Sequence, residues 1–374
     1  MNRRVTQQDV AKKANVHVTT VSLALRNHPS LPVTTRERLR TLADKMGYRP
    51  DPALSALINY RTKSRAHIQT PTIAYITNWN TRWGWKHDRP HAEFYAGAVA
   101  RAHELGYQLE HFWMGEPDLT HKRMSNMLGA RGIRGVIIAS HRYEIDTPLH
   151  FAWANFSAVK IDFFPHEPTL HNVTNDQRAI IQLAMRHVTA AGYRRVGFVM
   201  DRQWDLGVDL AWSAGCLAEQ QLLAPKNRIP LLLFSQAAPG KDPDHEDRSV
   251  PRAIFEAWFR QFRPDALIST RQFVQAPLAE AGIAVPRDLG FADILLNTFD
   301  GKTAGVRQNC QRVGELAVEI LASQLQQNIY GIPAYPTATL VEGTWLDGAS
   351  LPSRSGTDAR KPSPARRKAR MARS

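Results

Sequence analysis

Only two cysteines, Cys216 and Cys310, occur in 374 residues. Neither has a second ligand-type residue at the short spacing of a metal site, so they read as reduced thiols rather than a disulfide or a zinc ligand pair. No apolar run approaches the ~18 residues a membrane-spanning helix needs. The opening MNRRVTQQDV carries no apolar stretch of the secretory type. These absences point to a cytoplasmic protein, nucleoid-associated if it meets DNA, with no membrane partner. Also missing are GxSxG, the P-loop GxxxxGK[ST], HExxH and CxxC. No enzyme, cofactor or metal is therefore expected; DPDHED at 242–247 reads as a solvated loop.

What is present is basic charge, unevenly placed. The net formal charge is +14. Residues 1–65 hold 13 Lys/Arg against 4 Asp/Glu, and residues 353–374 hold 8 against 1. The span between them is close to neutral, with 27 against 29. Basic ends on a neutral body imply that the ends meet a polyanion and the body does something else. The tail 353–374 has almost no apolar content and is expected to be disordered.

Three short helices fit the first 50 residues. The first starts at Thr6, where Thr6 and Asp9 resemble a capping box, and runs to Lys13. The second spans about His17 to Arg26. The third starts at Thr34 or Thr35, with Thr34 and Glu37 as its opening pair, and stops at Met46 before Gly47. Val10, Ala11, Ala14, Val16, Val21, Leu25, Leu39, Leu42 and Met46 can close a miniature core. The link Ala14-Asn15-Val16 is short enough for a helix-turn-helix. A fourth helix over Ala53–Tyr60, capped by Asp51 with Pro52 in its first turn, is too short to hold alone in water.

From Pro71 on, strands and helices alternate. Strands are expected at Thr72–Thr77, Gln108–Trp113, Gly135–Ala139, Ala158–Asp162, Arg195–Met200, Ile229–Phe234, Ala266–Ser269 and Asp288–Asp293. Helices fit at Ala92–Leu105, His121–Ala130, Gln177–Ala191, Val208–Gln221, Pro251–Phe262, Pro277–Ala281 and Arg312–Gln326. Repeated βα units imply parallel sheets with helices on both faces, in two halves rather than one.

The 53-residue run VTQQDVAKKANVHVTTVSLALRNHPSLPVTTRERLRTLADKMGYRPDPALSAL, from Val5 to Leu57, resembles the DNA-binding headpiece and hinge of the lactose-repressor (LacI/GalR) family. Val5-Thr6, Asp9-Val10-Ala11, Thr20-Val21-Ser22, Asn27, Thr35-Arg36, Gly47-Tyr48, Pro50 and Leu57 match in order and spacing. More loosely, RPDALISTRQFVQAPLAEAGIAVPRDLGFADI and AGVRQNCQRVGELAVEILASQLQ, with Gln308, look like that family's late core. The resemblance implies an all-α helix-turn-helix headpiece at 1–50 and a hinge helix and linker at 51–70. An α/β periplasmic-binding-protein-like core of two doubly wound parallel-sheet subdomains then fills 71–352. Its N-subdomain is expected at 71–167 plus 304–330 and its C-subdomain at 168–303 plus 331–352.

On that resemblance the second helix enters the major groove with His17, Val18, Thr19, Ser22 and Leu23 outward. Leu23 departs from the family, which often has Arg there. His17 stands where Ser commonly caps, and is either a surface histidine or a phosphate contact. Thr6, Thr20, Asn27, Arg36 and Arg49 are phosphate candidates, with Arg3 and Arg4 behind them. Leu57 occupies the position whose side chain wedges into the minor groove, with Leu54 beside it; packing between paired hinge helices is the alternative for both.

Ligands of such cores sit at strand C-termini facing a cleft. The candidates are Asn78, Trp79, Tyr95, Ser140, His141, Asp162, Phe163, Arg202, Trp204, Trp212, Thr270, Arg271 and Asp293. Trp212 stands where relatives commonly have Arg, and Thr270-Arg271 replaces their Asn-Asp. The expected function is a homodimeric transcriptional regulator, a repressor, that binds a pseudopalindromic operator DNA. A small-molecule effector, a sugar or related metabolite, sets its affinity allosterically. A solute-binding protein of the same core fold without regulatory role is the alternative, and an architectural DNA binder anchored by the tail is a third.

Overall fold

The computed structural model describes residues 5–25, 28, 30–48, 70–235, 249–297 and 299–354. Three helices come first: α1 (Gln7–Ala14), α2 (Val18–Leu25) and α3 (Val33–Lys45). α1 starts at Thr6 because two backbone donors are satisfied reciprocally there. Asp9 N–H donates to Thr6 Oγ1 at 3.3 Å, and Thr6 N–H donates to Asp9 Oδ2 at 2.9 Å. It stops at Asn15, whose left-handed backbone (φ 54°) turns the chain into α2. Val10, Ala11, Val21, Ala24, Leu39 and Ala43 form a buried core, closed by Val5, Ala14, Val16, Leu25, Leu31, Leu42, Met46 and Tyr48. Gln7 Nε2 donates to Tyr48 OH at 3.0 Å, tying the start of the bundle to its end. α3 begins at Val33, ahead of Thr34: Pro32 occupies the cap position with φ −55° and the Thr34 side chain makes no cap bond. Gly47, at φ +73°, ends it as the sequence implies.

The core has two six-stranded sheets. The first contains β1 (Thr72–Asn78), β2 (Gln108–Trp113), β3 (Gly135–His141), β4 (Ser157–Ile161), β5 (His171–Asn175) and β11 (Ala338–Val341), in the order β11-β5-β4-β3-β1-β2. The second contains β6 (Val196–Asp201), β7 (Leu232–Phe234), β8 (Ala266–Ser269), β9 (Gly290–Asp293), β10 (Ala304–Arg307) and β12 (Thr344–Leu346), in the order β12-β10-β9-β8-β6-β7. β1 to β5 pair in parallel, as do β6 to β10, and β12 closes its edge antiparallel to β10. Strands β3, β4, β6 and β8 are buried along their whole length, which is why they read as near-continuous apolar runs.

The intervening helices are α4 (Arg89–Glu104), α5 (His121–Ala130), α6 (Gln177–Ala190), α7 (Arg202–Gly207), α8 (Ala211–Gln221), α9 (Arg252–Phe262), α10 (Arg271–Glu280) and α11 (Cys310–Gln327). Two compact units result: one runs to Thr174 and resumes over Cys310–Thr339, the other takes Asn175–Asn309 and the chain from Leu340. β5 extends the first unit past 167, and β10 holds 304–309 in the second.

Several elements differ from the sequence reading. β5, β10, β11 and β12 were not expected; they are three to five residues long, below the length at which alternation is distinct. The segment expected as one helix over Val208–Gln221 is preceded by α7 and begins at Ala211, because Asp209 and Leu210 both adopt positive φ, 55° and 59°. β7 starts at Leu232, not Ile229. α10 begins at Arg271, six residues before Pro277, and carries the proline inside. The carbonyl of Phe273, which a residue 277 N–H would have used, accepts from Val250 N–H at 2.9 Å instead.

Candidate nucleic-acid interface and effector site

In the headpiece, α2 turns Val21 and Ala24 into the core and leaves the opposite face open. His17, Val18 and Thr19 are exposed, and Thr20, Ser22 and Leu23 are half-buried. Val18, 36% exposed, and Leu23 offer apolar surface; Thr19 and Ser22 offer hydroxyls. The Thr6 hydroxyl is engaged in the capping box, donating to Asp9 Oδ2 at 2.7 Å. Arg36 lies half-buried on α3, whose first turn carries no acidic residue. Arg3, Arg4, Asn27, Arg49, Leu54 and Leu57 lie outside the described residues, as does the expected hinge helix.

In each unit of the core the chain leaves its first strand in one direction, to β2 or β7, and then crosses to β3 or β8 on the other side. The strand C-termini beside such a reversal are the usual ligand position in doubly wound sheets. The candidate residues divide between these two places.

In the first unit, Asn78 ends β1 and Trp79 follows it, Ser140 and His141 end β3, and Asp162 and Phe163 follow β4. Tyr95 comes from α4 and meets the buried Tyr75 edge-on at 5.1 Å between ring centres. Trp79 packs edge-on against His91 at 4.8 Å, and Ser140 Oγ lies 3.1 Å from His91 Nδ1. Ser140 and Asp162 both hold left-handed backbone, φ 51° and 70°. Asp162 accepts the Thr174 hydroxyl at 2.6 Å, and burial raises its pKa. His141 is buried, its Nδ1 donates to Ala139 O at 3.3 Å, and burial lowers its pKa to about 4. The Phe163 carbonyl accepts from Lys160 Nζ at 2.7 Å. These strand ends thus carry indole and phenol rings, an imidazole and one carboxylate, groups of the kind that stack on and hydrogen-bond to polyhydroxylated or ring-containing molecules.

In the second unit, Asp201 ends β6 and caps α7, accepting from Gln203 and Trp204 N–H at 2.8 and 3.1 Å. Arg202 is exposed; Trp204 is half-buried and edge-on to Phe273 at 5.0 Å. Thr270 is buried, and Arg271 Nη1 donates to Thr303 Oγ1 at 2.7 Å. Asp293 accepts from Arg271 N–H and Leu295 N–H at 3.1 and 2.8 Å, yet burial still raises its pKa to about 6. Trp212 is 3% exposed and its indole N–H donates to Gln177 Oε1 at 2.7 Å; Gln177 Nε2 donates to Gln308 Oε1 at 3.0 Å. Much of the polar capacity on this side is therefore already committed within the protein.

Tyr75, His91 and Gln177 were not among the sequence candidates. His91 and Ser140 are 49 residues apart and Trp212 and Gln177 are 35 apart, and no short motif joins either pair. Among the described residues no group of His, Cys, Asp and Glu is placed to hold a metal, and no helix is long and apolar enough to cross a membrane.

Residues 6–51 match the family model described as bacterial regulatory proteins, lacI family. The transcriptional regulator GalR of Lacticaseibacillus casei is 26% identical over 202 residues, covering 51% of this chain and 52% of that protein. The match thus spans about half the length of that relative. The transcriptional repressor CytR of Escherichia coli is 24% identical over 355 residues, 86% of this chain and 90% of CytR. Among solved structures, the lac repressor dimer bound to operator and the anti-inducer ONPF aligns with a TM-score of 0.54 at 17% identity, over 94% of this chain and all of that one. Residues 6–51 thus carry a helix-turn-helix of the lacI type, and the two doubly wound sheets behind it share the lac repressor's fold, with a periplasmic-binding-protein-like core.

Proposed function

We propose that the protein is a sequence-specific DNA-binding transcriptional regulator, acting as a repressor. Its operator affinity is set by a small molecule, a sugar or related metabolite, held at the strand ends of the core. The observation that carries this reading is the headpiece: a closed three-helix core that leaves His17, Val18, Thr19 and Ser22 on the open side of α2. The reading also draws support from the relatives' roles as regulators and a repressor. In this reading two copies act together, each inserting α2 into one major groove, so the operator is pseudopalindromic. Effector binding shifts the population of the DNA-competent form, about tenfold in affinity for each ~1.4 kcal/mol of differential binding. The protein works in the cytoplasm and does no chemistry on either partner.

The deciding experiment is a footprint of the full chain on DNA selected from a random library. Two half-sites related by two-fold symmetry, protected about one helical turn apart, are expected. An asymmetric footprint, or no preference over competitor DNA, removes the proposal.

A further inference from the structure

The His17 backbone carbonyl accepts from Thr20 N–H at 2.9 Å and Val21 N–H at 3.4 Å, which places His17 immediately ahead of the first turn of α2. Its imidazole caps that turn. Nδ1 lies 3.3 Å from the Thr19 backbone nitrogen and 2.9 Å from Thr19 Oγ1. A backbone N–H can only donate, so Nδ1 must offer its lone pair, and the proton of the neutral ring sits on Nε2. A bare Nδ1 cannot donate to Thr19 Oγ1. The threonine hydroxyl therefore turns its one proton toward the imidazole.

The same arrangement recurs eleven residues on. Ser30 N–H donates to His28 Nδ1 at 3.3 Å, and Ser30 Oγ lies 2.8 Å from that nitrogen. Within this headpiece, His-x-Ser/Thr is thus a repeated local solution.

Thr19 is exposed, on the open face of α2. With its proton turned inward, only oxygen lone pairs remain for an outside partner. In the major groove the amino donors are adenine N6 and cytosine N4, whereas guanine and thymine present acceptors at these edges. We infer that His17 fixes Thr19 as an acceptor-only reader, so that Thr19 selects adenine or cytosine at the base it faces. His17 acts here as a positioning residue. This inference rests on the reading of α2 as the DNA-contacting helix.

The test selects duplexes from a randomised library with the full chain and with Thr19→Val, His17→Ala and His17→Asn. In the unsubstituted protein, one position per half-site should favour adenine or cytosine over guanine or thymine by about fivefold, the size of one net hydrogen bond. Thr19→Val should abolish that preference. His17→Ala frees the hydroxyl to donate as well as accept, so the preference should flatten. His17→Asn supplies an acceptor oxygen at the cap and should restore it. A guanine or thymine preference at the Thr19-dependent position overturns the inference, as does a profile that His17→Ala leaves unchanged. Enrichment of no sequence at all removes the DNA-reading role itself, a distinct failure. Nitrogen NMR of the unsubstituted chain checks the same point without a variant: a bare Nδ1 and a protonated Nε2 are expected at His17, and a protonated Nδ1 overturns the assignment.

Discussion

Trp212 shows how one side chain can lock a polar chain inside the protein. Its indole N–H, Gln177 and Gln308 form a buried sequence of hydrogen bonds that ends on the Ile294 carbonyl at 3.2 Å. Trp212→Phe keeps most of the bulk but leaves Gln177 Oε1 without its donor. A loss of about 1–2 kcal/mol is expected from that orphaned acceptor, read as a lower urea midpoint. Two titrating residues oppose each other across pH. His141 is held neutral by burial, with its pKa lowered to about 4 from 6.5. The unfolded chain takes up this proton first as pH falls, so the stability His141 contributes is complete above pH 6.5 and is lost toward pH 4. His141→Phe should flatten the rise of unfolding free energy between about pH 4.5 and 6 by up to one proton. Asp293 carries the opposite sign. Its pKa is raised to about 6, so its charged form weakens the fold as pH climbs from the ordinary carboxylate range to 6. Asp293→Asn should therefore steepen the same rise, measured by denaturant unfolding across that window.

At the scale of elements, the closest packing lies between α4 and α11. A β-carbon on Gly97 would stand 2.0 Å from the Gln311 carbonyl oxygen, and one on Gly314 would stand 1.9 Å from that of Phe94. Both obstacles are backbone, so neither helix can yield locally. Gly314→Ala should force the pair apart and destabilise the first unit by about 1–3 kcal/mol, the usual range for overpacking; thermal unfolding followed by tryptophan fluorescence reads it. A smaller effect than at the half-buried Gly129, where nothing lies within 4 Å of the added carbon, would contradict this packing account. Legibility at this scale was uneven. The long crossover helices carry enough turns for their period to stand out, so α5, α6 and α11 lie close to where the sequence placed them. α10 was truncated in the reading because proline usually opens a helix. Only the Val250–Phe273 bond, formed by a distant segment, explains how Pro277 sits inside one.

For the whole molecule, the separation of basic ends from a near-neutral body is a statement about division of labour. If the N-terminal charge serves DNA, the logarithm of affinity should fall linearly with that of salt concentration, with a slope set by the phosphates neutralised. Leu57→Ala should weaken operator binding several-fold while leaving effector affinity nearly unchanged, as measured by titration of each partner. Equal loss of both would place Leu57 in the effector machinery instead.

Local sequence determined what depends on neighbours along the chain. The capping box at Thr6–Asp9, the turn at Asn15, the stop at Gly47 and the alternation of strands with helices all follow from contacts within a few residues. The headpiece core was legible for the same reason, since α1, α2 and α3 lie within 45 residues and repeat their apolar positions at helical spacing. Tertiary structure alone decided the short strands β5, β10, β11 and β12, which exist because neighbouring strands share their hydrogen bonds and not because of any pattern of their own. It likewise decided that Trp212 lies buried against Gln177, and that His91 meets Ser140 and Trp79 in the first unit. Such pairings are set by which helix crosses which strand, a property of chain topology that no run of adjacent residues encodes.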